Sequence, residues 1–511
     1  MVYSARNRGR RRIMDYGEGH YNWLVYGGFL LLHIGISLHI LLTKREQPNE
    51  ALFWLLLVAL FPVGGIVCYL LFGIVRLEHA QKKVLELQTR MKKDPGKYFG
   101  PELAALQDAL KKFAPPAEVA DNPHNRTLDR LFPDYPALDG NSLEMLRDGV
   151  TAYPRMLEDI AGARHCIRMQ SYILMSDEVG RAFMSALEER ARAGVDVKVI
   201  FDSLGSLKSY FSHYFRRLLL RKQANFKIRS FSPFHLVTPW HFQLRNHRKL
   251  LLIDGRIAYS GGINISDGNE HLTRVPASRH IHDLHARIEG PAVAEFAKSF
   301  FIDWSYTTRR KWIDGVGPWD FPLPERRGPA VVRVLSSGPG GNYEGTRRLF
   351  FAAAMAAKKS LWIMTPYFVP GAEYIDLLCL TAARGVDVRI IVPADNDHFF
   401  VSWAAQNYYS TLLEAGVKIY NKQGLFSHIK ALLVDEGSWG FMGSSNCDSR
   451  SFRLNFELDF CYEAGPFVEK MHRQFLDELA HSTPVTLEEV RRKSFARQLG
   501  ENIFALFTPI L

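Results

Sequence analysis

Two short stretches of this chain repeat one unusual pattern: NHRKLLLID over residues 246–254 and SHIKALLVD over residues 427–435. Each places a His, then a Lys two positions on, then an apolar run that closes on Asp. In an extended strand, residues two apart project on the same face, so His247 and Lys249 point together, as do His428 and Lys430. A neutral imidazole is a competent nucleophile toward phosphorus, and a protonated one can donate to a leaving oxygen. The two lysines supply fixed positive charge for the non-bridging oxygens of a five-coordinate transition state. Each motif is followed by a small-residue turn that ends in Asn, SGGIN at 260–264 and GSSN at 443–446. Asn264 and Asn446 are therefore candidate phosphate-binding residues. Asp254 and Asp435 complete the motif and are counted with its catalytic set. They stand seven and five residues beyond His and Lys, so a structural role at the strand end is the better expectation for them.

Working histidines need carboxylates that fix the tautomer and tune basicity. HIHDLHARIEGPAV (280–293) offers Asp283 for this support, and SRSFRLNFEL (449–458) offers Glu457. Against these roles, Asp283 could cap a turn and Glu457 could pair with Arg450 or Arg453. Whether each carboxylate serves its own His or the other one is open at this level. Neither motif has the His/Asp/Glu clustering of a two-metal phosphodiesterase, so the expectation is chemistry with no metal and no cofactor.

The elements that position these residues are themselves repeated. HCIRMQSYILMSDEVGRAFMSALEERARAGVDVKVIFD (165–202) matches KSLWIMTPYFVPGAEYIDLLCLTAARGVDVRIIVPAD (359–395). Each reads as a buried strand, an amphipathic helix and a second buried strand, a βαβ unit with a right-handed crossover. Each is followed by its own His-x-Lys strand. With only two copies, the repeat builds two α/β/α lobes rather than a solenoid. Expected bounds are 136–325 for the first lobe and 326–485 for the second, joined through the Pro-rich GPWDFPLPERRGP (317–329). A basic helical linker over 76–135 precedes them, and an amphipathic tail over 486–511 follows.

The 511 residues are 47% hydrophobic and 23% charged, with a formal net charge of +11. A mostly folded chain with a preference for anionic partners follows. Five cysteines show no CxxC and no paired spacing, which disfavours a disulfide framework or a zinc site. Residues 22–43 and 51–73 contain no Asp, Glu, Lys or Arg. Each is long enough to cross a hydrocarbon core of about 30 Å as a helix, giving an N-terminal anchor over 1–75 with two transmembrane helices. The first apolar run is too long for a signal peptide and is followed at once by the second. Arg6, Arg8 and Arg10 to Arg12 precede the pair and Lys82, Lys83, Arg90, Lys92 and Lys93 follow it, so both ends are expected in the cytoplasm. Two stretches offer contact with lipid: LKSYFSHYFRRLLLRK (207–222), read equally well as a core helix, and FSPFHLVTPWHFQLRNH (231–247), which brings Phe234, Trp240 and Phe242 up to the first motif.

These features resemble the phospholipase D superfamily, whose signature is a doubled HxKxxxxD followed by a Gly/Ser turn and Asn. Within it the chain resembles the bacterial cardiolipin synthases, through RNHRKLLLIDGRIAYSGGINIS (245–266), RIEGPAV (287–293), SSGPG (336–340), TPYFVP (365–370), GVKIY (416–420) and SRSFRLNFE (449–457). The two-span N-terminus and the ending FALFTPIL also fit. One departure is His282, where that pattern leads one to expect an aromatic residue or Arg before the Asp. The resemblance implies a pseudo-twofold pair of mixed-sheet lobes with the active site at their interface. It implies a phosphatidyl transfer between two phosphatidylglycerol molecules through a phosphohistidine, giving cardiolipin and glycerol. His247 would be the nucleophile and His428 the general acid. The alternative in the same fold is hydrolysis, with water as acceptor. Implied partners are phosphatidylglycerol, cardiolipin and an anionic phospholipid membrane of the bacterial inner-membrane type, with no nucleic acid; a homo-oligomer stays open.

Overall fold

The computed structural model describes residues 15–45, 48–73, 85, 86, 89, 101–220, 224–232, 243–271, 275, 276, 279–308, 316–338, 342 and 344–508. The stretch carrying Phe234, Trp240 and Phe242 lies outside them, as does most of the basic segment between residues 76 and 100. The chain divides into two compact units, Met1–Val75 and Arg76–Leu511.

In the first unit a helix spans Asp15–Thr43, and its part Trp23–Thr43 is 21 residues long and apolar enough to cross a membrane. The second apolar stretch departs from expectation. Instead of one helix over 51–73 it forms Pro48–Leu60, then Pro62–Cys68, then a π-helical turn Tyr69–Gly73. The break falls where Pro62 forces Phe61 out of helical geometry, to φ −125° and ψ 77°. Among the described residues only the first stretch is therefore an uninterrupted helix of spanning length. The two stretches still pack on each other. Ile40, Trp54, Val58 and Tyr69 are buried, Tyr69 Oη lies 2.8 Å from His39 Nδ1, and Lys44 pairs with Glu50 at 2.9 Å across the turn.

The second unit is built on one mixed sheet of fifteen strands. From one edge the order is Ser482–Pro484, Lys418–Lys422, Asp387–Pro393, Ser360–Met364, Ala431–Val434, Trp439–Gly443, Glu457–Glu463 and Ala330–Ser337. It continues through Ala137–Arg147, Leu284–Glu289, Ile257–Gly261, Leu250–Ile253, Cys166–Ser171, Asp196–Asp202 and Phe226–Phe231. Apart from the extra edge strand Ser482–Pro484, the order reads the same from either side of the central antiparallel pair, Ala330–Ser337 against Ala137–Arg147. Each half contains the expected βαβ unit. Cys166–Ser171 pairs in parallel with Asp196–Asp202 around the helix Glu178–Arg192. Ser360–Met364 pairs in parallel with Asp387–Pro393 around Ala372–Ala383.

The halves are not independent lobes. A central apolar cluster draws on both, with Phe296 and Phe300 from the helix Val293–Thr307 against Leu458, Phe460 and Phe475. Two further clusters fill the outer part of each half. The Pro-rich connection is likewise anchored: Asp320 pairs with buried Arg168 at 2.8 Å, Phe321 is buried, and Trp319 stacks on His165 with ring centroids 3.6 Å apart. Continuous main-chain pairing across the centre fixes one half against the other, which is what a site shared between them requires.

Candidate active site

Each His-x-Lys segment enters its strand from an extended stretch that pairs with the other half. Asn246 bridges in parallel to Phe456, with His247 N donating to Phe456 O at 2.9 Å. Reciprocally, Phe426 and Ser427 pair in parallel with Ile281 and His282, and His428 N donates to His282 O at 2.7 Å. The next residue on each partner segment is the carboxylate. The supports are therefore crossed: His247 Nδ1 lies 3.1 Å from Glu457 Oε2, and His428 Nδ1 lies 2.7 Å from Asp283 Oδ2.

Burial and charge define the protonation states. His247 Nδ1 faces two acceptors, Glu457 and the carbonyl of Ser444 at 2.9 Å. An ionised carboxylate and a carbonyl only accept, so Nδ1 carries the proton and Nε2 keeps its lone pair. At His428 the Asp283 carboxylate, 2.7 Å from Nδ1, favours the same tautomer, and Lys430 Nζ, 2.8 Å from that nitrogen, works against it. Glu457 is held by Ser444 Oγ at 2.5 Å and Asn455 Nδ2 at 3.2 Å. Burial lowers the pKa of His247, and burial together with Lys430 pushes His428 down to about 4. Lys249 falls to about 7, through burial first and then through Lys430. Burial by itself would raise Asp283 and Glu457, but the neighbouring cationic and imidazole groups hold both below the ordinary carboxylate range. Each lysine also lowers the pKa of the opposite histidine, so the four groups share one electrostatic site.

The lysines bridge back to their own strands. Lys249 Nζ donates to His247 O at 2.7 Å, and Lys430 Nζ donates to His428 O and lies 2.8 Å from His428 Nδ1. Asn264 Oδ1 accepts from Ile173 N at 3.1 Å, which ties its turn to the end of a neighbouring strand. Asn446 is buried with its Oδ1 unpartnered among the described residues. Gly262 lies in the turn before Asn264 because a Cβ there would fall 2.1 Å from Asp283 Oδ1.

Asp254 and Asp435 are not in this site. The Asp254 carboxylate accepts from the backbone N–H groups of Arg164, His165 and Cys166, each at 2.8 Å. Asp435 accepts from those of Lys358, Lys359 and Ser360. Each thus caps the start of the first strand of its βαβ unit, and the apolar run between Lys and Asp is the length of strand that carries it there.

Tyr172, Tyr367 and Arg248 were not singled out from sequence. Tyr172 and Tyr367 present their ring edges to His247 and His428, at centroid distances of 4.8 and 6.3 Å. Both follow the first strand of their βαβ unit, QSY and TPY, so the repeat itself carried that signal. Arg248 holds the catalytic segment through Asp303 at 2.8 Å, Ser299 at 3.0 Å, and the carbonyls of Glu457 and Ser337. His282 is clamped between Asp148 and Glu478, at 2.7 Å from each ring nitrogen. Burial alone would lower its pKa, but these two hydrogen bonds outweigh it and lift the imidazole to about 9. Where the family pattern has an aromatic residue or Arg before the Asp, this chain therefore has an imidazolium. No group of three or more His, Cys, Asp and Glu side chains is placed to hold a metal ion among the described residues.

Paired histidines with crossed carboxylates on a pseudo-twofold mixed sheet define a phospholipase D-like phosphodiester-processing class. Residues 156–304 and 351–479 match the family model described as cardiolipin synthase, PLD-like domain, and residues 31–73 match that described as phospholipase D-nuclease N-terminal. Cardiolipin synthase 1 of Bacillus anthracis is 33% identical over 488 residues, 94% of this chain and 92% of that one. The major cardiolipin synthase of Bacillus subtilis is 32% identical over 488 residues, 94% of this chain and 98% of that one. The fold is also that of the phosphatidylserine synthase of Haemophilus influenzae, with a TM-score of 0.58 at 15% identity, covering 76% of this chain and all of that one. The chain belongs to the cardiolipin synthase family of the phospholipase D superfamily.

Proposed function

We propose that the protein is a cardiolipin synthase that transfers a phosphatidyl group from one phosphatidylglycerol to another, releasing glycerol. The crossed carboxylates are the observation that carries this reading, because they leave Nε2 of both histidines free of the tautomer-fixing bonds. In the first step His247 Nε2 attacks the phosphorus and the bond to glycerol breaks, with His428 donating the proton that glycerol takes away. In the second, the terminal hydroxyl of another phosphatidylglycerol attacks the phosphorus as His428 takes its proton, and the P–Nε2 bond breaks to release His247 with its lone pair restored. Lys249, Lys430, Asn264 and Asn446 hold the non-bridging oxygens. Burial and Lys430 hold His428 at about 4, so its catalytic proton has to be favoured by the bound substrate. A diester anion does this by adding negative charge beside the imidazole. Family membership over nearly the whole chain supports the same reaction.

We further propose that the second apolar stretch pairs with the helix Trp23–Thr43 in the bilayer and that residues 76–511 face the cytoplasm. The excess of Lys and Arg on both flanks supports this orientation. Labelled phosphatidylglycerol given to membranes containing the protein tests the reaction: cardiolipin is expected, and its loss on His247→Ala or His428→Ala should exceed about 10⁴-fold, because the two act as one unit. Phosphatidic acid as the sole product would make the protein a hydrolase instead.

A further inference from the structure

Beyond the end of the strand Asp196–Asp202 the chain forms two short helices, Leu207–Tyr210 and His213–Leu220. Their inner side is core: Phe215 and Leu218 are buried against Phe201 and its neighbours. Their outer side is unusual for a soluble surface. Phe211 is 64% exposed, Leu220 78% and Leu207 37%. The same segment, LKSYFSHYFRRLLL, carries Lys208, Arg216 and Arg217 and not one Asp or Glu. None of these three cations makes an ion pair among the described residues. Other exposed arginines do have carboxylate partners, as in Arg473 with Glu469, Arg491 with Glu414 and Arg492 with Glu488.

The segment starts at the rim of the active site. Ser206, the residue before the first helix, donates through Oγ to Tyr172 O at 3.0 Å. Tyr172 in turn places its ring edge on His247. A surface with large apolar side chains and uncompensated positive charge is suited to an interface that offers both hydrocarbon and anionic headgroups. A polyanion such as a nucleic acid would match the cations but leave Leu207 and Leu220 in water. We infer that Leu207–Leu220 docks on an anionic lipid leaflet and brings the His247 side of the site to headgroup level. The inference rests on the proposed action on membrane lipid, and it names the surface that meets the substrate.

The full-length protein in liposomes provides the test, with hydrogen exchange followed in peptides covering 207–220. Phosphatidylcholine liposomes are compared with ones made anionic by phosphatidic acid, which has no esterified alcohol to displace. Slower exchange of this segment in the anionic liposomes, reversed by high salt, is expected. Equal exchange in the two lipids overturns the inference, as does protection by single-stranded DNA in place of lipid. A second arm uses the exposed positions. The triple variant K208Q/R216Q/R217Q and, separately, Phe211→Ser should keep the wild-type melting temperature and kcat. The triple variant should need about tenfold more phosphatidylglycerol in the surface for half-maximal rate. An unchanged KM with normal folding overturns the inference; should the triple variant not fold, Phe211→Ser and Leu220→Ser decide through the same KM. The two readings fail separately. Cardiolipin formed without lipid-dependent protection refutes the docking surface alone, whereas protection without cardiolipin refutes the reaction alone.

Discussion

At the scale of single residues, the chemistry is set by which protons the buried groups can hold. Lys249 sits at about 7 in the free site because burial and Lys430 both penalise its charge. Below that pH it is an ammonium that attracts the diester; above it the attraction is lost. Accordingly kcat/KM, which reports the free enzyme, should fall as pH rises through about 7. The limb in kcat should lie higher, since a bound phosphate anion stabilises the ammonium. Coincident limbs in the two profiles would refute this account. His282 gives a second prediction. Its folded pKa is raised, so its contribution to stability is fully present below about 6.5 and is lost as pH rises through about 9. The groups that face it are Asp148 and Glu478, with Lys422 and Arg147 at 3.7 and 3.9 Å from Glu478 and Asp283 next in the chain. His282→Arg keeps the positive charge through that window. Melting temperatures of wild type should decline between those pH values more steeply than those of the variant, and parallel declines would remove His282 as the cause.

At the scale of elements, the last residue of each motif is a strand cap. Asp254 has φ 49° and Asp435 φ 50°, in the left-handed region, and each gathers three backbone N–H groups at the start of a neighbouring strand. Asp254→Ala removes charge-assisted hydrogen bonds from one end of the strand that precedes Tyr172. A loss of about 2–3 kcal/mol in stability is expected, with KM and kcat of the folded enzyme little changed below the melting transition. Thermal melts and activity measured at low temperature separate the two quantities. A variant that melts normally yet fails to turn over would return Asp254 to the catalytic set.

At the scale of the whole molecule, one continuous sheet and one shared core make the two halves a single catalytic body. Neither half has a complete site, because each histidine takes its carboxylate from the other. In the proposed mechanism both alcohols, leaving and entering, meet the same His428, so the forward and reverse reactions use the same groups. Purified enzyme given cardiolipin and excess glycerol should therefore return phosphatidylglycerol, and it should do so after exhaustive EDTA treatment, since Lys249 and Lys430 supply the charge. Formation of phosphatidic acid alone would assign water as the acceptor. A requirement for added divalent ion, persisting in detergent, would count against lysine-based charge stabilisation.

Read alone, the sequence determined the internal repeat, the two βαβ units, the two His-Lys pairs and the carboxylates that support them. Local patterning is enough for these: period-2 strands put His and Lys on one face, and the repeat places each motif in the same context. For Asp254 and Asp435 it left a catalytic and a structural role both open, with the structural one the better expectation. Tertiary structure alone decided that Asp283 serves His428 and Glu457 serves His247. That pairing depends on parallel contacts between segments more than a hundred residues apart, which leave no trace in local periodicity. The same holds for the His282 clamp, whose partners Asp148 and Glu478 come from opposite halves. The break at Pro62 was written in the chain, yet hydropathy over 51–73 concealed it, because composition measures how apolar a stretch is and not whether its backbone can continue as a helix.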